Sequence, residues 1–214
     1  MTAVSITNKR HARKSCSSHF LTVESKDRRN MKREVLTIIL GLITAGLAMA
    51  QGPMVDRSGT ATFFSEAPLE NIEATNKEVL GAIDLEKGTL AVSMLMKGFH
   101  FDKSLMEEHF NENYVESDKF PRATFKGVIS NFAALDFSKS GSFEAEADGE
   151  IEIHGVKKPL KTMVKFDVSS KDMKVNTEFD LAVADFDIEI PTIVFKNIAE
   201  VVEVKAFFNF SRPK

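Results

Sequence analysis

Alternation of apolar and charged residues over the second half of the chain constrains its fold more than any other feature. In residues 142–153, SFEAEADGEIEI, the odd positions are Phe143, Ala145, Ala147, Gly149, Ile151 and Ile153, and the even positions Glu144, Glu146, Asp148, Glu150 and Glu152. Successive strand side chains point to opposite faces, so this run predicts a strand with one dry and one wet face. Leu160, Thr162, Val164, Phe166 and Val168 repeat the pattern, as do Val175, Thr177, Phe179, Leu181 and Val183. Val202, Val204, Ala206, Phe208 and Phe210 repeat it once more near the end. Weaker alternation marks 79–85, 90–96 and 123–129, and turn-forming groups such as Lys139-Ser140-Gly141 and His154-Gly155 separate the runs.

One stretch favours helix. Residues 102–110 place Leu105, Met106, His109 and Phe110 near one side, with Asp102 as the expected N-cap and Glu107 and Glu108 on the opposite flank. Pro121 then closes the connection to the next strand. No Gly/Ser/Pro linker divides the body and no internal repeat is visible, so the pattern predicts one antiparallel all-β domain with one short helical crossover. About eight strands with one apolar face each must hide it in a closed barrel or a two-sheet sandwich. A transmembrane barrel would carry girdles of Trp and Tyr, whereas this chain has no Trp and one Tyr, Tyr114. Its Lys and Glu positions suit water outside, and the apolar face points inward.

The first fifty residues are of another kind. They hold 9 of the 28 Lys+Arg and 3 of the 31 Asp+Glu, which leaves residues 51–214 with a net charge of −9. So acidic a body has no electrostatic footprint for nucleic acid. Residues 31–50, MKREVLTIILGLITAGLAMA, have a basic start, a 16-residue apolar stretch and an Ala48-Met49-Ala50 exit, the organisation of a signal peptide. The apolar stretch is short of the ~20 residues a spanning helix needs. Residues 1–30 are polar, basic and unpatterned, and read as a misassigned extension with Met31 as the true start, or as a long n-region after Met1. The expected mature domain is 51–214, exported to the periplasm or secreted, with no membrane span after cleavage. The single cysteine, Cys16, lies outside it and excludes a disulfide framework.

Little in the body suggests chemistry. His100, His109 and His154 show no metal-ligand spacing beyond the isolated pair His109 and Glu112, and they read as surface or helix-flank histidines. The carboxylates fall mostly on wet strand faces, and there is no GxSxG, P-loop or GxGxxG. No motif points to catalysis, a metal or a cofactor. Of the 18 Phe, all but Phe20 lie in the body. Phenylalanine has a large face and no polar atom to satisfy, so these rings suit either a packed core or an interior touching hydrocarbon.

Two segments resemble the YceI-like family of exported lipid-binding proteins. Residues 105–125, LMEEHFNENYVESDKFPRATF, are similar to that family's helix followed by an aromatic-Pro-x-x-x-Phe start to the next strand. Residues 149–160, GEIEIHGVKKPL, are similar to its hairpin, with a Gly-Val turn and then a Pro. Asp185-Phe186-Asp187-Ile188 loosely resembles its late Asp-Phe-Gly-Ile segment. The likeness covers roughly 58–212. It departs at Lys103-Ser104, where the family has Arg-Asp, at Asp187, where the family has Gly, and in lacking the early His-Ser segment.

The resemblance implies a lipocalin-like, extended antiparallel β-barrel of about eight strands around an elongated apolar tunnel. It further implies a non-enzymatic carrier, store or scavenger of a long amphipathic lipid such as a polyisoprenoid. The inward residues expected to hold the chain are Met94, Phe125, Ile151, Ile153, Phe166, Phe179, Leu181, Val204 and Phe208. Leu105 and Phe110 are expected to close one end from the helix, with a polar mouth near Lys103 or His109. A ligand-free structural or interaction protein of the cell envelope, its interior filled, is the alternative. The sequence leaves open the choice between a tunnel and a filled interior, the lipid's identity, and a homodimer.

Overall fold

The protein is described from a computed structural model covering residues 52–66, 70–190 and 199–212. The expectations for residues 1–30 and 31–50 lie outside the described residues. In chain order the elements are β1 (Met54–Ser65), β2 (Ile72–Asp84), β3 (Thr89–Leu95), β4 (Phe99–Phe101), α1 (Ser104–His109), β5 (Arg122–Ile129), β6 (Gly141–Ile153), β7 (Val156–Val168), β8 (Asp172–Ala182) and β9 (Val201–Ser211).

Eight of the strands form a closed antiparallel barrel. Neighbours run β1-β9-β8-β7-β6-β5-β3-β2, and β2 pairs back onto β1. Closure leaves every apolar face inside, as the alternation demands. In β6, Ala145, Ala147 and Ile151 are buried, while the acidic even positions face solvent or the rim of the wall. Opposite charges meet across the outer surface of the β6–β7 ladder, where Lys161 lies 2.7 Å from Asp148 and Lys157 lies 3.0 Å from Glu150. Such exposed pairs contribute at most about 1 kcal/mol each and chiefly keep the outer face wet.

The ninth strand, β4, is a continuation of β3 beyond a single tight turn at Met96–Gly98. β3 pairs with the second half of β2 and β4 with its first half. Asn76, fully buried, mends the break: its Nδ2 donates to the Leu95 carbonyl at 2.8 Å and its Oδ1 accepts from the Glu78 amide at 2.9 Å. β1 and β4 escaped the pattern reading. Register shifts between Asp56 and Ala61 break the alternation of β1, and three residues are too few to show a period in β4.

The helix differs from expectation at its start. Lys103, not Asp102, holds the N-cap position, with no side-chain cap. Glu107 does not stand on a wet flank but reaches back, accepting from the Phe101 amide at 3.2 Å, and so fastens α1 to β4. Beyond His109 the chain widens into one π-type turn, Phe110–Tyr114, closed by the Val115 amide donating to the Phe110 carbonyl at 2.9 Å.

Candidate functional site: an apolar cavity under the helix

The barrel interior is divided. Where β6 begins, Phe137 from the 130–140 connection fills the end of the barrel, its ring 5.2 Å from Phe166, 5.4 Å from Phe143 and 5.7 Å from Phe132. Arg212 fixes this plug by donating to the carbonyls of Phe137 and Ser169. The other half, under α1, holds a cavity of about 320 Å³. That lies within the range of clefts that take small ligands. Filled core and cavity therefore coexist in one barrel.

Nine of the eleven residues singled out from the sequence line this cavity: Met94, Phe110, Phe125, Ile151, Ile153, Phe179, Leu181, Val204 and Phe208. Two do not, and both are corrections. Phe166 is 0% exposed and belongs to the filled half, packed against Phe137. Leu105 is 59% exposed: the helix presents Met106, Phe110 and Tyr114, at i, i+4 and i+8, to the cavity, and Leu105 falls on its outer side.

The helix end is closed by four rings. Phe110 stacks on Phe63 at 5.5 Å and meets Phe101 at 5.1 Å and Phe99 at 5.8 Å, while Phe63 and Phe99 are 5.4 Å apart. Phe63, Phe99 and Phe101 were not anticipated; the signal was the Phe-x-Phe at 99–101, which puts both rings on one strand face. Toward the filled end, the Phe208 ring lies over Gly59 and Gly81, where any Cβ would collide with it.

Polar groups around the cavity are few, and most are spoken for. Thr177 donates to the Met163 carbonyl at 2.9 Å, and the Thr162 and Thr177 hydroxyls are 2.8 Å apart. Glu70, at the rim, pairs with Lys103. His109 also lies at the rim, exposed. Tyr114 is half-buried in the wall; burial pushes its phenol up, and its hydroxyl has no hydrogen-bond partner among the described residues. Thr124, Thr162, Thr177 and the rim residue His109 apart, the walls facing the space are aliphatic or aromatic from Met94 to Leu181.

The rim is tied at His154, which is not a surface histidine as expected but one whose side chain is only 10% exposed. Its Nδ1 is 3.0 Å from the Phe186 carbonyl, its Nε2 is 3.0 Å from Glu116 Oε2, and Phe120 packs on its ring edge at 4.4 Å. That hydrogen bond, with help from Lys119, holds the Glu116 carboxyl below its ordinary value. The three segments that carry the family likeness thus meet here, contributing Phe120, His154 and Phe186. Gly155 follows in a left-handed conformation, as the two-residue turn of the β6–β7 hairpin requires. Asp187, in the place of the family's glycine, is also left-handed, with φ of 54°. Among the described residues no group of three or more His, Cys, Asp or Glu is placed to hold a metal, and no helix is long and apolar enough to cross a membrane.

These features define a small antiparallel barrel with an apolar cavity closed by a helix, lipocalin-like in plan. The YceI-like domain model matches residues 54–210, and the chain belongs to that family. A polyisoprenoid binding domain from Saccharophagus degradans superposes with a TM-score of 0.65 at 13% identity, covering 75% of this chain and 98% of that one. Burkholderia cenocepacia BcnA follows with 0.59 at 13% identity, covering 72% and 96%. The Campylobacter jejuni YCEI protein gives 0.55 at 13% identity, covering 70% and 90%. At such identities the likeness speaks for the fold. No curated protein sequence matches the chain.

Proposed function

We propose that the cavity holds the apolar chain of one long amphipathic lipid, of isoprenoid type, and that the protein is its carrier, store or scavenger. The observation that carries this reading is the cavity wall, aliphatic and aromatic along its length, with its few hydroxyls mostly bonded to the protein itself. Burying hydrocarbon there would contribute ~25 cal/mol per Å² of apolar surface, in a site shaped before the ligand arrives. The relative from Saccharophagus degradans, a polyisoprenoid binding domain, supports the lipid class. Membership of a family of binding proteins supports a non-catalytic role, and residues 31–50 support export to the periplasm or beyond. Tyr114, whose phenol has no hydrogen-bond partner among the described residues, would offer a donor to an oxygen on the lipid.

The test is organic extraction of the protein purified from its own cell envelope, with mass spectrometry of the extract. A single long-chain lipid, recovered in proportion to protein, is the expected result. An extract with no lipid, from a protein that stays empty when offered isoprenoid alcohols, would favour a ligand-free structural or interaction protein of the envelope.

A further inference from the structure

A barrel wall is continuous only where neighbouring strands are hydrogen-bonded, and in this barrel the β7–β8 ladder stops halfway. It runs from Val168↔Met173 to Val164↔Thr177 and no further. Beyond that point β7 stays on β6 as far as Val156↔Ile153, and β8 stays on β9 as far as Ala182↔Val201. The two strands therefore diverge toward the helix end of the barrel. Pro159 lies on the free stretch of β7. Having no N–H, proline is excluded from central ladders and found at strand edges, so the sequence itself marks this edge.

The divergence is built, not frayed. At its base Thr162 and Thr177 replace ladder bonds with hydroxyl bonds, to each other and to the Met163 and Glu178 carbonyls. At the rim His154 reaches the Phe186 carbonyl, and Lys158 lies 4.0 Å from Asp185. Between these two ends no hydrogen bond or ion pair crosses among the described residues. Leu160 on one bank, and Phe179 and Leu181 on the other, line the cavity, so the two free strand edges border it, with the Val183–Phe186 turn packed on β7 at the rim.

Three other interruptions in the wall are sealed. Where β1 and β9 part, Asp56 accepts from the Asn209 amide at 2.7 Å. Asn76 spans the β3–β4 break. The first half of β6, without a β5 partner, is covered by Phe137.

The geometry points to the β7–β8 gap as a side entrance through which an apolar chain passes into and out of the cavity. This rests on the lipid reading above. A chain entering sideways would slide between Leu160 and Leu181 without disturbing the four-ring cluster or the filled end.

The test bridges the gap from outside. If the ladder continued, Lys161 would oppose Asp180, and both are exposed and absent from the cavity wall. The full chain bearing Cys16→Ser, Lys161→Cys and Asp180→Cys is cross-linked with a flexible bis-maleimide, and uptake of cis-parinaric acid is followed by its fluorescence. Bridging should slow uptake by roughly tenfold or more, a change in association rate rather than in the site itself, while each singly labelled cysteine variant matches the parent. Uptake by the fully bridged chain at the parent's rate would overturn the entrance and place the route at the rim. No uptake by the parent chain would overturn the lipid reading and the entrance with it.

Discussion

His154 presents both ring nitrogens to acceptors: Nε2 lies 3.0 Å from the Glu116 carboxylate and Nδ1 lies 3.0 Å from the Phe186 carbonyl. Both ring nitrogens are therefore engaged, and the ring cannot turn without giving up both contacts. The tie joins three stretches whose neighbours, Ile153, Val115 and Ile188, line the cavity.

That arrangement gives a pH dependence with a defined sign. The folded pKa of Glu116 is held below the ordinary value of 4.5, first by the hydrogen bond to His154 and then by Lys119. Its contribution to stability is therefore fully present above 4.5 and lost as pH falls through the lower folded value. The melting temperature of the parent chain should exceed that of Glu116→Gln at pH ~6, and the two should converge in acid. A gap that stays constant down to pH ~2 would show that Glu116 does not act through its charge.

Phe166 and Phe179 should separate stability from binding. Phe166→Ala empties a filled site and should cost about 3–5 kcal/mol in chemical denaturation. Phe179→Asp, at the edge of existing space, should leave a folded barrel that no longer takes up lipid. Normal uptake by folded Phe179→Asp would remove that residue from the site.

Gly81 faces the Phe208 ring. Gly81→Val should displace the ring and destabilise the barrel by about 1–3 kcal/mol. The added truncation Phe208→Ala should recover part of that loss, so a double-mutant cycle should show coupling between the two positions. Additive losses would mean that the ring does not depend on the missing side chain.

Asp187 occupies a left-handed position that asparagine, aspartate and glycine tolerate best. Asp187→Gly should fold as well as the parent. Asp187→Val should lose about 1–2 kcal/mol in the same denaturation measurement.

Strand content and the inward faces of β6 to β9 were legible because one face is dry and the other charged over long runs. The hairpin at His154-Gly155 was legible from turn chemistry. Which inward rings meet empty space was not. Phe166 and Phe179 have the same period and side, and differ only in height along the barrel, which is decided by Phe137 arriving from a connection with no period of its own. The role of His154 was equally hidden, since its partners lie 32 and 38 residues away. The divergence of β7 and β8 left one trace, Pro159. The helix start was misplaced because Asp102 is a good capping residue by type, while Lys103 holds the N-cap position and Glu107 bonds back to β4.

The most direct test of the cavity's role is native mass spectrometry of the purified protein titrated with geranylgeraniol, beside a Phe125→Glu variant shown by circular dichroism to be folded. One lipid bound per parent chain, and none on the variant, is the predicted result. A parent chain that remains at its ligand-free mass throughout, or a variant that binds as well as the parent, would contradict the account.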